Sequence, residues 1–97
     1  MGHISLSEAS DPEILDLIGG RLRGLRKASG STMAEAAERA GLARKTVSRA
    51  EKGDNPTLLT LVRLLRIYGR LSALDQFVPE PEVSPMALLR SRERTRG

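Results

Sequence analysis

The stretch that decides the fold is TMAEAAERAGLARKTVSRAEKG, residues 32–53. Thr32 stands three positions before Glu35, the pattern in which a threonine caps a helix and a glutamate bonds back to the threonine amide. We expect this helix to end just before Gly41, because glycine tolerates the positive φ of a tight turn. A second helix is predicted over residues 43–52, closed by the final glycine of the stretch. The stretch therefore predicts two short helices joined by a tight turn.

The second of these helices has two chemically different sides. On a wheel of 100° per residue, a sector of about 140° carries cationic and small polar side chains only: Arg44, Lys45, Ser48, Arg49 and Lys52. The opposite side carries the small apolar residues Ala43, Val47 and Ala50. This division fits a helix in the major groove of DNA, where Arg and Lys reach guanine or phosphate and a serine lets the backbone come close. The alternative is an ordinary surface helix that is basic by composition.

Three further helices complete the predicted fold. Asp11, followed by proline and acids, indicates a cap for a first helix that ends before Gly30. Asn55 and the proline after it repeat that pattern before a helix over residues 57–68, which is apolar almost all round and therefore expected to be buried. A shorter helix is predicted over residues 71–78. Since strand-like alternation is absent from the sequence, the predicted fold is all-α with five helices.

Gly19 and Gly20 interrupt the apolar pattern of the first helix. Each costs about 1 kcal/mol of helix stability relative to alanine. Either another backbone approaches closely at this point, or the helix begins near Ile18.

Length and composition exclude several classes of protein. A chain of 97 residues fits one small domain with a tail. With no cysteine and one histidine, at position 3, the sequence offers no disulfide, no catalytic thiol and no metal site, and we expect neither a cofactor nor enzyme activity. No apolar run reaches the roughly 20 residues that span a bilayer, and no signal peptide is evident. We expect a cytoplasmic protein, associated with the nucleoid and not with a membrane.

The net charge of +4 is unevenly distributed. Up to Gly20 there are four acidic residues and no Lys or Arg, whereas residues 21–78 carry twelve basic and five acidic residues, a net charge of +7. Residues 86–97 add +3. Such basic blocks either bind a polyanion or form an ordinary solvated surface. Because the chain has only one Tyr and one Phe to stack on bases, duplex DNA is favoured over single strands.

Several stretches together resemble the Cro/repressor-type (XRE) helix–turn–helix family: IGGRLRGLRK (18–27), AERAGL (37–42), KTVSR (45–49), EKG (51–53) and NPTLLTL (55–61). The resemblance covers about residues 18–78. It implies a five-helix, lambda-repressor-like DNA-binding domain that usually acts as a homodimer on a palindromic operator.

The resemblance also implies roles for individual residues. Arg44, Lys45 and Arg49 match base-contacting positions, to which the helical wheel adds Ser48. Phosphate contacts are expected at helix N-termini, where free amides and the positive dipole end attract anions, which gives Thr32, Asn55 and Thr57. Met33, Thr46 and Lys52 are further candidates. Arg26 and Glu51 match a buried ion pair that is structural in this family. Arg21, Arg23 and Lys27 either extend the DNA footprint or face solvent.

The sequence departs from the family pattern at four positions. Met33 stands where the family commonly has a glutamine that contacts phosphate. Ala36 and Ala50 stand where leucine is common, and Ser31 replaces an apolar residue. Each lost methylene is worth about 0.8 kcal/mol when buried. We therefore expect closer helix packing or modest stability, with dimerisation contributing to it.

We divide the chain into a flexible lead-in (1–10), the DNA-binding domain (11–78) and an extended, Pro/Arg-rich tail (79–97). The dimer-seam candidates are Leu71, Leu74, Phe77 and Val78. Phe77 either caps the monomer core or lies in the seam; the two roles are compatible, and we favour partial exposure of Phe77 to a twofold partner. The tail either docks on a partner chain, holds the DNA backbone or is a disordered solubilising segment; at most one helical turn is expected, over residues 86–90.

Two functions fit this reading. The first is a transcriptional regulator, a repressor or autoregulator, that binds duplex DNA as a homodimer. The second is an antitoxin that neutralises a toxin protein and autoregulates its operon. The first is the leading hypothesis; the small size, the tail and a general similarity in layout to HipB-type antitoxins motivate the second as the alternative.

Overall fold

The computed structural model describes residues 5–82 and 84–96, the last four by their backbone alone. Its helices are α1 (Asp11–Ala28), α2 (Met33–Ala40), α3 (Arg44–Glu51), α4 (Leu58–Ile67), α5 (Leu74–Phe77) and α6 (Pro85–Arg96), with one 3₁₀ turn (Leu71–Ala73) leading into α5. The described residues form no strand, so the all-α prediction is confirmed. Nowhere in this part of the chain is a helix long and apolar enough to cross a membrane. Residues 1–4 of the predicted lead-in lie outside the described residues.

The first helix is capped by Ser10 and not by the predicted Asp11. The Ser10 hydroxyl accepts a hydrogen bond from the Glu13 amide at 3.3 Å, and the Glu13 carboxylate accepts one from the Ser10 amide at 3.1 Å. These bonds hold the pKa of Glu13 below its ordinary value. Ser10 is the cap because only it has a glutamate three positions later, which closes both bonds.

Gly19 and Gly20 both lie inside a continuous α1. Gly19 lies where the backbone at the end of α3 approaches this helix closely, which leaves no room for a side chain. A Cβ atom on Gly19 would stand 2.6 Å from the Glu51 carbonyl oxygen and 2.8 Å from the Gly53 nitrogen. Gly53, at φ +72°, is equally confined: its Cβ would stand 2.8 Å from the Leu15 carbonyl. Of the two alternatives left open by the sequence, close approach is therefore correct, and a helix start near Ile18 is wrong.

The central helix pair follows the sequence closely. Thr32 caps α2, with its hydroxyl accepting from the Glu35 amide at 3.1 Å and the Glu35 carboxylate accepting from the Thr32 amide at 3.0 Å. Gly41 ends α2 at φ 67°, and the half-buried Leu42 packs against the core beneath the turn. The next helix, α3, lies one residue inside each predicted bound, because Ala43 is its N-cap and Lys52 its C-cap.

Two predictions about α4 are wrong. Its cap is Thr57, whose hydroxyl accepts from the Thr60 amide at 3.1 Å. Asn55 instead adopts the left-handed region at φ 42°, which asparagine tolerates better than most residues. Nor is α4 buried all round, because Leu58 and Leu59 are 61% and 57% exposed. The helix packs on α2 and α3 through its Leu64 side and leaves its first turn open.

The core is small and built largely from alanine. Its buried apolar residues are Leu22, Ala36, Ala37, Ala40, Val47, Ala50 and Leu64. Ala36 and Ala50, where the family commonly has leucine, are completely buried. The loss of side-chain volume is thus accompanied by close approach of the helices, most directly at Gly19.

The C-terminal part departs from the predicted extended tail. Among the described residues after α5, 78–82 and Ser84 lack a regular element, and α6 extends over twelve residues. The Ser84 hydroxyl accepts from the Ala87 amide at 3.1 Å, and Pro85 stands at the first helical position, where its fixed φ suits a helix start. The predicted helix over residues 71–78 is also interrupted, since its first turn is 3₁₀.

Candidate nucleic-acid interface

The sequence predicted a cationic surface on one side of α3, and that side is exposed in the structure. Arg44, Lys45 and Arg49 are exposed, as is Lys52 directly after the helix, while Ser48 is half-buried at the edge of this surface. Beneath them, Val47 and Ala50 are fully buried in the core. The helix therefore presents its charges outwards from a backbone that is anchored along its opposite side.

An ion pair anchors the C-terminal end of α3 to α1. The Arg26 guanidinium donates through Nε to Glu51 Oε2 at 2.7 Å and through Nη2 to Oε1 at 3.0 Å. A third donor, Nη1, bonds the Ser31 carbonyl at 3.1 Å and so joins the loop before α2. The hydrogen bonds that Arg26 donates to the Glu51 carboxylate raise the pKa of Arg26. This is the pair that the family resemblance implies, and its bidentate geometry fixes direction as well as distance.

Tyr68 lies near this ion pair. Its hydroxyl is buried and has no hydrogen-bond partner among the described residues, and burial raises its pKa. A buried hydroxyl without a partner costs free energy.

The residues expected to contact phosphate, apart from Thr32, line two clefts beside α3. A cleft of about 220 Å³ brings Thr46 and Arg49 of α3 together with Asn55 and Thr57 at the start of α4. A second cleft, of about 340 Å³, brings Met33 of α2 beside Ser48 and Lys52, with Arg23 of α1 at its side. The predicted footprint thus forms a band across both flanks of α3.

Several of these side chains already have partners. The hydroxyls of Thr32 and Thr57 are engaged in their helix caps. Met33 packs its side chain against the core, so only its backbone amide, in the first turn of α2, is suited to an anion. Arg21 lines an apolar groove with Ile18, which separates it from the clefts beside α3.

Sequence reasoning missed three residues around this surface. Arg39 donates to the Ile67 carbonyl at 3.2 Å, and Arg63 donates to the Gly41 carbonyl at 3.0 Å. These two arginines brace the ends of α4 and α2. Asp54 lies 3.7 Å from Arg49 in an exposed pair, which is worth about 1 kcal/mol or less. Of these three residues, only Asp54 could have been found from the sequence, because it lies five positions after Arg49. The hydrogen bonds of Arg39 and Arg63 to backbone carbonyls leave no signal in the sequence.

The dimer-seam candidates lie on another side of the molecule. Leu71 and Leu74 are half-buried, whereas Phe77 and Val78 are 53% and 73% exposed. Phe77 lines the apolar groove between α1 and α4 without closing it. Within the described residues, no group of three or more His, Cys, Asp or Glu side chains is arranged to hold a metal ion.

Comparison with known proteins identifies the central part of the chain. The sequence model of the family described as helix–turn–helix matches residues 22–74, just over half of the chain. No curated protein gives a significant match.

Proposed function

The chain belongs to the Cro/C1-type (XRE) helix–turn–helix family of DNA-binding transcription regulators, and on this premise we propose that it is a sequence-specific repressor or autoregulator. It binds a palindromic operator in duplex DNA as a homodimer. Two copies of α3 enter successive major grooves, about 34 Å apart. The family is one of regulators and not generally of enzymes.

The observation that carries this proposal is the two-sided construction of α3. Four cations face outwards on or beside the helix, and fully buried residues hold its other side. A helix that reads bases must hold its position, because a bidentate bond to guanine is lost when the side chain shifts. The Arg26–Glu51 pair and the contact between Gly19 and the end of α3 supply that rigidity.

We assign base contacts to Arg44, Lys45 and Arg49, with Ser48 allowing close approach of the backbone. Contacts to phosphate are assigned to the two flanking clefts, through Thr46, Lys52 and Asn55 and through the backbone amides that follow the caps of α2 and α4 (Thr32 with Met33, and Thr57). Residues 11–78 form the DNA-binding unit in this proposal. Residues 79–97 form a separate tail.

The decisive experiment compares binding to the chain's own upstream DNA with binding to a shuffled duplex of equal length, by gel shift at moderate salt. Specific binding predicts a clear preference for the upstream DNA that persists as salt is raised. Equal affinity for both duplexes would refute the proposal.

Two substitutions test the assignment of base contacts. Arg44→Ala or Arg49→Ala is expected to cost about 1–3 kcal/mol, or about 5- to 150-fold, in specific binding and to relax operator choice. Arg66→Ala is the matched control, because it removes the same charge from an exposed site in the last turn of α4. If the α3 variants weaken binding to both duplexes equally, the two arginines contact phosphate instead.

A second candidate function is an antitoxin that also regulates its own operon. It is favoured by the exposed apolar side chains of α6, Met86, Leu88 and Leu89, because apolar surface of this kind marks a protein partner. Co-purification of an endogenous toxin would support this function. Undiminished toxin binding after deletion of residues 79–97 would rule out a tail-mediated form.

A further inference from the structure

Two apolar surfaces in the described part of the chain lie open to solvent. The first is a groove of about 240 Å³ between α1, α4 and α5, here called the apolar groove. Its walls include Ile18, Leu25, Leu61, Leu65, Leu74 and Phe77. The second is the first turn of α6, here called the α6 patch, where Met86, Leu88 and Leu89 are 63%, 46% and 54% exposed.

The two surfaces are not joined within one chain. Residues of α6 are absent from the lining of the groove, and α6 does not pack extensively on another helix. The radius of gyration is 17.8 Å, whereas a compact chain of this length has about 12.5 Å. Because α6 does not pack extensively on another helix, its apolar side chains are open to another molecule.

The order of charges along α1 and along the tail determines how they can pair. In α1, Asp11, Glu13 and Asp16 precede the groove-lining leucines, and basic residues accompany and follow them up to Lys27. In the tail, Glu80 and Glu82 precede the α6 patch, and arginines follow it from Arg90 on. Both segments thus run from acidic through apolar to basic. A parallel pairing would place like charges together at both ends, whereas an antiparallel pairing places opposite charges together at both ends.

The spacing suits this antiparallel pairing. Suppose that Leu89 lies beside Ile18. Arg90 is one position after Leu89, and Asp16 is two positions before Ile18, so each charge is within about 3 Å along its helix of the paired apolar residues. In the antiparallel arrangement, Arg90 therefore lies toward Asp16. At the other end, the same register places Glu82 nearest Leu25 and so close to the basic residues Arg23 and Lys27.

We propose that α6 of one copy docks antiparallel to α1 in the apolar groove of a second copy, and that the exchange is reciprocal. The inference rests on the proposed homodimer and specifies its interface. Reciprocal exchange buries both α6 patches and both grooves at once, as a closed twofold interface requires.

Cysteine crosslinking tests this pairing without background, because the chain has no cysteine. Ala73 lines the groove and Ala87 lies in the first turn of α6. A tagged Ala73→Cys protein is mixed with an untagged Ala87→Cys protein in a redox buffer. We expect a disulfide-linked heterodimer that forms about tenfold faster, or more, than with the control Ala34→Cys, which is exposed on α2 outside the groove. A crosslinking rate equal to that of the control overturns the proposal. The proposal is also overturned if the double variant, A73C with A87C, forms its disulfide only within one monomer.

Molar mass provides a second measurement that does not depend on disulfide geometry. Leu89→Glu is expected to convert the dimer to a monomer, whereas Leu58→Glu, an equally exposed leucine outside the groove, leaves the mass unchanged. Asp16→Arg weakens the dimer several-fold, and adding Arg90→Asp restores it. Failure of the reversal to restore it refutes the antiparallel alignment.

Gel shifts with the same proteins separate this inference from the proposed function. A dimer that prefers its own upstream DNA but gives no Ala73–Ala87 crosslink refutes only the interface. A crosslinked dimer without DNA preference refutes only the regulatory function. Binding of a toxin in place of the second α6 also overturns the proposal.

Discussion

Replacing Gly19 by alanine tests the packing of α3 on α1. The added Cβ would meet three backbone atoms of the α3 terminus: the Glu51 carbonyl oxygen at 2.6 Å, the Gly53 nitrogen at 2.8 Å and the Ala50 carbonyl oxygen at 2.9 Å. All three belong to backbone, so no rotamer change relieves the contact. To reach an ordinary separation of 3.4 Å from the Glu51 oxygen, the helices must separate by about 0.8 Å.

The free-energy cost is the difference between two opposing effects. Overpacking of this kind costs about 1–3 kcal/mol, and more where backbone has to move. Alanine recovers up to about 1 kcal/mol of helix propensity. Because backbone must move here, the cost lies at the upper end of that range, and subtracting the propensity gain leaves a loss of about 2 kcal/mol in the free energy of unfolding for Gly19→Ala.

Gly20→Ala is the matched control, because the next residue of the same helix has nothing within 4 Å of its Cβ position. This substitution should stabilise the protein by about 0.5–1 kcal/mol through helix propensity alone. The assay is thermal and urea unfolding followed by circular dichroism, at one fixed protein concentration because the proposed dimer would make stability depend on concentration. Each kcal/mol corresponds to about 4–8 °C in a domain of this size.

The two neighbouring alanines should thus shift Tm in opposite directions. Specific DNA binding should fall for Gly19→Ala and remain for Gly20→Ala, because only the first displaces the end of α3. Equal melting temperatures for the two variants would refute the close approach of α1 and α3.

Three further predictions concern the core and the caps. Tyr68→Phe removes a buried hydroxyl without a partner among the described residues, so the free energy of unfolding should stay constant or rise by about 1 kcal/mol; a clear loss in urea unfolding would contradict this. Arg26→Ala leaves the Glu51 carboxylate, 5% exposed, without its partner and should cost about 3–5 kcal/mol, while a double-mutant cycle with Glu51→Ala should show strong coupling. The hydrogen bonds of the caps lower the pKa of Glu13 and Glu35 below the ordinary 4.5; their stabilisation is therefore complete above that value and lost as pH falls through the lowered pKa. Between pH 6 and 3, the urea midpoint should fall less steeply for Glu35→Gln than for the unsubstituted protein, because glutamine keeps the bond to the Thr32 amide without a titrating charge. An equal fall in both proteins would contradict a stabilising effect of the Glu35 charge.

Local signals predicted the centre of this fold well. The Thr32–Glu35 capping box and Gly41 define the ends of α2 without help from the rest of the chain, because both act within four residues. The helical wheel placed Val47 and Ala50 inside for a similar reason: α3 is short, and one side of it is uniformly apolar.

The errors arose where two local signals competed. Ser10 and Asp11 are both good caps, and the position of Glu13 decides between them. At the start of α4, Thr57 is the cap because the proline after Asn55 moves the helix start downstream. In the tail, the prolines predicted irregular structure, whereas Ser84 and Pro85 together form the start signal of α6.

Long-range properties were beyond prediction from the sequence. The exposure of Leu58 and Leu59 depends on how many helices surround α4, which its own pattern does not encode. The carbonyl partners of Arg39 and Arg63 are likewise set by the tertiary fold, since every residue supplies a carbonyl. The role of Gly19 was partly predictable, because the sequence indicated two explanations and only the tertiary structure decides between them.

The way α3 is anchored has a consequence for the evolution of operator choice. Its position is fixed by residues that do not face outwards: the buried Val47 and Ala50, the ion pair of Glu51 and the backbone beside Gly19. Exchanges at exposed positions such as Arg44 and Lys45 should therefore change stability by no more than about 0.5 kcal/mol. Under the proposed function, new DNA sequences can then be recognised by altering two or three side chains, without any compensating change elsewhere in the chain. Duplicated copies of such a protein would diverge in their target genes more readily than in their shape.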